Sequence, residues 1–562
     1  MKKLISIIIT VTFLSVYSVA QSIPKHEVRA VWLTTIGGLD WPHSYSQSSL
    51  SAAKQQKELC DILDKLKEAN VNTVILQTRI RGTVIYPSEI EPWDGCLSGF
   101  PGRSPGYDPL KFAIDECHKR GMELHAWVVA IPVGKWNFLG CKKLRTRYPR
   151  IIRNIDNEGY MNPESEVTAD YIAKICAEIT RNYDIDGINL DYIRYPETWK
   201  IRLPLEEGRK NITRIVRRVH DEVKAIKPWV KMACSPIGKY DDLSRFWSHG
   251  WNARNTVCQE AQEWLKDGLM DELFPMMYFQ GDQFFPFAID WKEQSYGKII
   301  VPGLGVYFLD RNQKDWSLDI ISREMNVLRQ NGMGHAYFRS KFFTDNTKDI
   351  FNFVSNEFDT YPSLVPPMTW ESNKKPLAPT KLCISQSKDK EIISWDCGND
   401  MSGISKYEKD DKTKSIALFY NVYASDSYPV DINDARNIIA ARIPANEISI
   451  PLSKDCKHFN YAVTAIDRYG NESEQTNSEK AIEPESNTMM KNNGNILHLT
   501  NRHSILDAEF IIIQSLIGNI ITTMPYNSDS INISKIPEGI YIVKSLNRKG
   551  YTHRLGTFII KR

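Results

Sequence analysis

The stretch Asp184–Pro196 (DIDGINLDYIRYP) gathers the groups most able to do chemistry. Gly187 to Leu190 is apolar apart from Asn189 and short enough for a buried strand. It runs into Asp191, with Arg194 and two tyrosines beside it. A carboxylate at the end of a buried strand is costly unless it is solvated, paired or working. Two readings stand level. One is a structural Asp191–Arg194 ion pair; the other is a carboxylate-and-ring grouping suited to sugars. Glycosidic cleavage needs one group to protonate the leaving oxygen and another to stabilise or attack the anomeric carbon or activate water. Asp191 is the first candidate. A neighbouring Arg194 would keep it ionised, which suits a nucleophile or base. Glu91 is the preferred acid, because Ile90 and Pro92-Trp93 around it would raise its pKa. A loop salt bridge is an equally good reading of Glu91, and Asp282 and Asp310 are also available.

Such groups need a scaffold. From Glu27 to about Tyr361 strand and helix patterns alternate. The strand candidates are 28–35, 73–79, 123–129, 187–192, 230–236, 272–278, 299–307 and 334–339. Helical periodicity falls over 51–69, 167–183, 211–226 and 319–330. Gly121 and Gly332 read as glycines closing helices before strands. Eight strands interleaved with helices predict an α/β fold, a (β/α)8 TIM barrel with enlarged loops. In such a barrel the strand C-termini share one mouth. That would bring Gln77, Arg79, Trp93, His125, Trp127, Arg194 and Tyr278 there as substrate-binding groups. Planar rings stack on sugar faces, and Arg and Gln hydrogen-bond hydroxyls. For His125 a satisfied core position is the common alternative; for Trp127, core packing. Asp186, at the other end of its strand, reads as structural.

Beyond a Pro- and Ser-containing linker, 363–379, helical periodicity almost stops. Residues 380–482 read as a β-sandwich, with Trp395 as its buried Trp and Tyr461 as a corner tyrosine. A polar linker, 483–494, leads to a last all-β sandwich, 495–562. At the N-terminus, Lys2-Lys3, the apolar run to Val19 and the small residues Ser18 and Ala20 predict a signal peptide over 1–20. The mature chain is therefore expected to be exported, to the periplasm, cell surface or medium.

Composition narrows the partners. Over 562 residues, 71 basic and 68 acidic side chains nearly cancel, which argues against a nucleic-acid surface. After the leader no window could span a bilayer. The ten cysteines form no CxxC, and no Cys/His spacing suits zinc, so neither metal nor cofactor is expected. Disulfide partners stay open. The expected partner is a polysaccharide or oligosaccharide.

Four ordered motifs, VRAVWLTTIGGLDWP, VILQTRIRGTVIYPSEIEPW, GYDPLKFAIDECHKRGMELHAWV and DGINLDYIRYP, resemble the glycosyl-hydrolase-like 10 barrel family. The resemblance implies a TIM barrel acting on a glycan, often one with N-acetylated amino sugars. The family includes a hydrolase of peptide-free peptidoglycan strands. It carries over to Asp191 and Arg194, Gln77 and Arg79, Glu91 and Trp93, and His125 and Trp127. Many members read RGD after strand two, where this chain has Thr83. Residues 186–192 also follow the chitinase strand-four pattern, but Ile193 stands where the acid Glu belongs, and an alkyl group donates no proton. Residues 461–473 resemble a fibronectin type III strand and turn. The last thirty residues resemble a type IX secretion sorting domain, which implies possible handling by secretion machinery.

Overall fold

The computed structural model describes residues 23–248, 250–387, 390–397, 418–451, 459–479, 490–492, 496–499, 508–515, 519–528, 530–547 and 552–561. The predicted signal peptide and most of the 483–494 linker lie outside them.

Nine strand segments form one parallel sheet that curls into a TIM-like barrel. In chain order the staves are Arg29–Leu33, Thr73–Arg79, Glu123–Val129, Gly187–Asp191, Lys231–Cys234, Glu272–Leu273, the pair Ile299–Ile300 and Gly303–Leu304, and His335–Tyr337. The pair is one stave divided at Val301-Pro302. Its first half pairs with Glu272–Leu273 and its second with His335–Tyr337, which closes the ring. Pro302 has no N–H to offer the ladder, which suits the break. Each predicted strand is present, the sixth shortest. Beyond it the pairing continues only as single bridges, Ile237 to Met276 and Met276 to Gly303.

Side chains of alternate residues fill the barrel. Trp32, Ile75, Trp127, Val129, Ala233 and Phe274 form a closed cluster inside it. The flanking helices bury their apolar stripes against the outside of the staves. Glu166–Asn182 buries Ile172, Ile175 and Ile179, and Leu205–Ile226 buries Ile212, Ile215 and Val219. Both helices whose ends glycine was expected to close do end so: Gly121 has φ +72° and Gly332 φ +64°. One element has no counterpart in the expected pattern. Pro132–Lys135, Ile152–Ile155 and Glu158–Met161 form a small antiparallel sheet after the third stave. Its strands are four residues long, too short for their alternation to stand out.

Several small antiparallel sheets follow the barrel. Thr380–Ser387, Lys390–Asp396 and Glu447–Pro451 form one; Phe419–Ser425, Ile438–Ile443, Asn460–Ile466 and Thr476–Asn477 form another. Trp395 and Tyr461 lie in the core between them. The Tyr461 hydroxyl donates to Glu391 Oε2 at 2.5 Å, a side-chain partner in place of the backbone partner of a tyrosine corner. This sandwich belongs to the same compact unit as the barrel, which ends at Glu479. The stretch expected as a linker is packed: Leu364 and Met368 are buried, and the Trp370 indole donates to Asp271 Oδ1 at 2.7 Å.

Among the described residues, the second unit, 480–562, has two sheets. One holds Met490–Asn492, Ile496–Leu499 and Ser530–Asn532. The other holds Ala508–Ser515, Ile520–Pro525, Gly539–Asn547 and Thr552–Ile560. Leu497, Ile511, Ile513, Val543 and Phe558 belong to its core.

Candidate active site

Asp191 closes the fourth stave, on the interior column that runs Gly187, Asn189, Asp191. It is 8% exposed. Its Oδ2 accepts the Trp127 indole N–H at 3.0 Å, and its Oδ1 accepts the Tyr192 amide at 2.7 Å. Tyr192 has φ +50°, in the left-handed region that bulky residues avoid, a strain common at functional sites. Burial pushes the Asp191 carboxyl above its usual range, against the opposing pull of Arg194, the Tyr192 amide, the Trp127 indole and Arg81. Arg194 acts on Asp191 through its charge alone; its ion pair is with Glu197 at 2.6 Å, and it lies 3.9 Å over the Tyr192 ring. Tyr278 is near enough for the charge of Asp191 to help burial and Tyr307 raise its phenol pKa. Tyr278 also packs on Phe338, 5.2 Å between centroids.

Arg79 and Glu91 meet each other instead of open solvent. The pair is bidentate, Nε to Oε2 at 2.9 Å and Nη2 to Oε1 at 2.7 Å, with both side chains 1% exposed. Tyr171 donates to Glu91 Oε1 at 2.8 Å. Arg79 Nη1 also donates to the carbonyls of Val129 and Ala130. The Ala130 amide in turn donates to the Asp191 carbonyl at 2.8 Å. This pair therefore bolts the strand-two loop to the end of strand three, next to Asp191. The partly apolar pocket expected around Glu91 is replaced by a guanidinium and a phenol, which hold the side chain in place.

Gln77 braces the first loop, its Oε1 accepting the amides of Thr35 and Ile36 at 3.1 and 2.9 Å. His125 lies deeper in the barrel, fully buried, with Nε2 3.3 Å from Glu123 and Nδ1 3.8 Å from Glu272. Its ring fills the space beside Gly187, where an added Cβ would come within 2.8 Å. The expected substrate contact of His125 is thus replaced by a core position. Trp93 is half-buried against the outer core.

A groove of about 760 Å³ opens among the loops after the first three staves. Arg81, Lys135 and the exposed rings of Tyr45 and Phe138 line it. Asp191 is not part of its wall. Arg81 links the two, since it lines the groove while its charge acts on Asp191 and Tyr192.

One cluster has the composition of a metal site: Glu27, His335 and Asp359 are buried within ligating distance of one another. Two guanidiniums already occupy it. Arg329 reaches Glu27 at 2.6 Å and also pairs with Asp359, while Arg29 reaches Glu27 at 2.8 Å and Asp359 at 3.2 Å. The nine cysteines among the described residues are free thiols.

A closed parallel barrel with a strained carboxylate turn at the end of its fourth stave defines a TIM-type barrel protein, a fold whose sites lie at the C-terminal face. Sequence comparison makes this specific: a profile described as Glycosyl hydrolase-like 10 matches residues 27–207 and 200–308, and the chain belongs to that family. It is similar to "Glycosyl hydrolase YngK" of Bacillus subtilis, 26% identical over 84% of this chain and 96% of that one. It is 30% identical to "Glycosyl hydrolase DigH" of Escherichia coli over 45% of this chain, and spans 65% of DigH. Among solved structures, the PgaB glycoside hydrolase domain from Bordetella bronchiseptica matches at 14% identity and a TM-score of 0.41, over 58% of this chain and 98% of that one.

Proposed function

We propose that the protein is an exported glycoside hydrolase that cleaves O-glycosidic bonds of a polysaccharide, a peptidoglycan glycan strand or another N-acetylated glycan. The observation that carries this is the setting of Asp191. It is buried at the end of the stave, with one fixed N–H donor on each oxygen, and burial pushes its carboxyl above the usual range. An upward shift is the direction that suits a group protonating a leaving glycosidic oxygen. Family membership and the names of its relatives support the same reading. Tyr278, Tyr192 and Arg194 supply ring faces and N–H donors around the acid, and the groove beside Arg81 offers room for further sugars of a chain. The leader-like N-terminus supports export; the sandwich reads as a fibronectin type III-like support, and the last domain as a sorting module.

The test is incubation of the pure protein with peptide-free peptidoglycan, chitin oligomers and plant and host glycans, with products read by mass spectrometry. Asp191→Asn is expected to lower turnover by about 10²–10⁴-fold, with the fold kept and the melting temperature lowered only by the loss of one acceptor. Binding of oligosaccharide with no new reducing ends from the wild type would instead make this a glycan-binding surface protein.

A further inference from the structure

General acid catalysis of this kind calls for a second carboxylate, and Glu91 is committed to Arg79. Glu197 stands in a different position. It follows Asp191 on the same loop, and its side chain is 41% exposed. One of its oxygens accepts Arg194 Nη2 at 2.6 Å. Arg194 is 2% exposed, and its Nε and Nη1 have no hydrogen-bond partner among the described residues. Two buried donors of a guanidinium are rarely left idle; the cost invites a ligand oxygen. The same guanidinium lies on the Tyr192 ring, whose amide holds Asp191. Asp191, Tyr192, Arg194 and Glu197 thus form one linked arc, a buried acid at one end and an open, ion-paired carboxylate at the other.

We propose that Glu197 is the second catalytic carboxylate, the general base, and that the idle donors of Arg194 bind a hydroxyl or acidic oxygen of the sugar. This rests on the glycoside-hydrolase reading. In the step, Asp191 gives its proton to the glycosidic oxygen as the bond from that oxygen to the anomeric carbon breaks. A water attacks the same carbon and passes one proton to Glu197. The products are a new reducing end and a free hydroxyl. Arg194 fixes one Glu197 oxygen, and the half-exposed side chain leaves room for the attacking water.

The experiment compares the wild type with Glu197→Gln and Glu197→Asp on the glycan panel above, with and without sodium azide. Glu197→Gln is expected to lose at least about 100-fold in kcat with KM little changed, and Glu197→Asp to keep part of the activity. Azide needs no deprotonation, so it should restore turnover in Glu197→Gln and leave a glycosyl azide, seen by mass spectrometry. An active wild type with a Glu197→Gln variant of near-normal kcat overturns the assignment and leaves the hydrolase reading standing. Loss of turnover that azide does not restore also overturns it, making Glu197 a positioning group for Arg194. A wild type that releases no reducing ends from any glycan overturns both readings.

Discussion

At the scale of single residues, the acidity of Asp191 is set by a contest between burial and four stabilisers of its charge. The Trp127 indole is the stabiliser easiest to remove cleanly. An acid works only while protonated, so activity should fall as pH rises through the raised Asp191 pKa. Trp127→Phe removes a donor to the carboxylate and raises that pKa further. The alkaline limb of the pH–rate profile is therefore expected to move to higher pH, with kcat lowered at most about tenfold; a limb that stays put would separate Asp191 from the proton donor. Glu91 should behave in the opposite manner. Glu91→Gln leaves Arg79 buried without its counter-charge, a loss of about 3–5 kcal/mol. Denaturant unfolding should show that drop, whereas a stable variant with no activity would return Glu91 to the catalytic role.

At the scale of elements, the floor of the barrel is held by a strand that does not belong to it. Arg442, in the sandwich strand Ile438–Ile443, has φ +54° and reaches Glu123 at 2.9 Å and Asp186 at 2.7 Å. Lys231 pairs with Glu123 at 2.7 Å, and His118 with Asp186 at 2.8 Å. The network holds the carboxyls of Glu123 and Asp186 below their usual range against the opposing effect of burial. Depressed carboxyls contribute stability above their unfolded pKa, and that contribution is lost as pH falls through the folded value. Arg442→Ala should lower stability by about 3–5 kcal/mol at neutral pH. The gap from wild type should narrow as acid protonates the two carboxyls, a trend that urea titrations at several pH values would check. Gly121 makes the same junction possible, since a Cβ there would sit 2.1 Å from the Ala441 carbonyl.

At the scale of the molecule, barrel and first sandwich make one compact unit, and the C-terminal β-domain makes another. The Arg442 fork, the Lys25–Glu472 pair at 2.6 Å and the Arg468–Asp184 pair cross between barrel and sandwich, and the Trp370–Asp271 bond ties the connecting stretch to the barrel. A chain ending at Glu479 is expected to keep the melting transition of the barrel. One ending at residue 362 would expose Asp184, Asp186, Glu123 and Asp271 without these partners. It is expected to melt far lower or to aggregate, and calorimetry of the two chains decides the point. Equal transitions would make the sandwich a mere spacer.

The amino-acid sequence by itself determined the order of the staves, four of the helices between them and the position of Asp191 at a strand end. Hydrophobic period and capping glycines are local signals, and the chain carries them openly. It also marked Asp186 as structural, from its place at the opposite end of the strand. The tertiary structure alone decided who pairs with whom. Arg79 and Glu91 lie twelve residues apart yet read as separate site groups until the loop folds back. His125 reads as a mouth residue until its depth in the barrel is known. Arg194 forms its ion pair with Glu197, three residues on, in place of the Asp191 beside it in the sequence. Arg442 gave no sign of its role, because its partners lie 256 and 319 residues away. Charge pairing and burial depend on distance in space, which sequence spacing does not record.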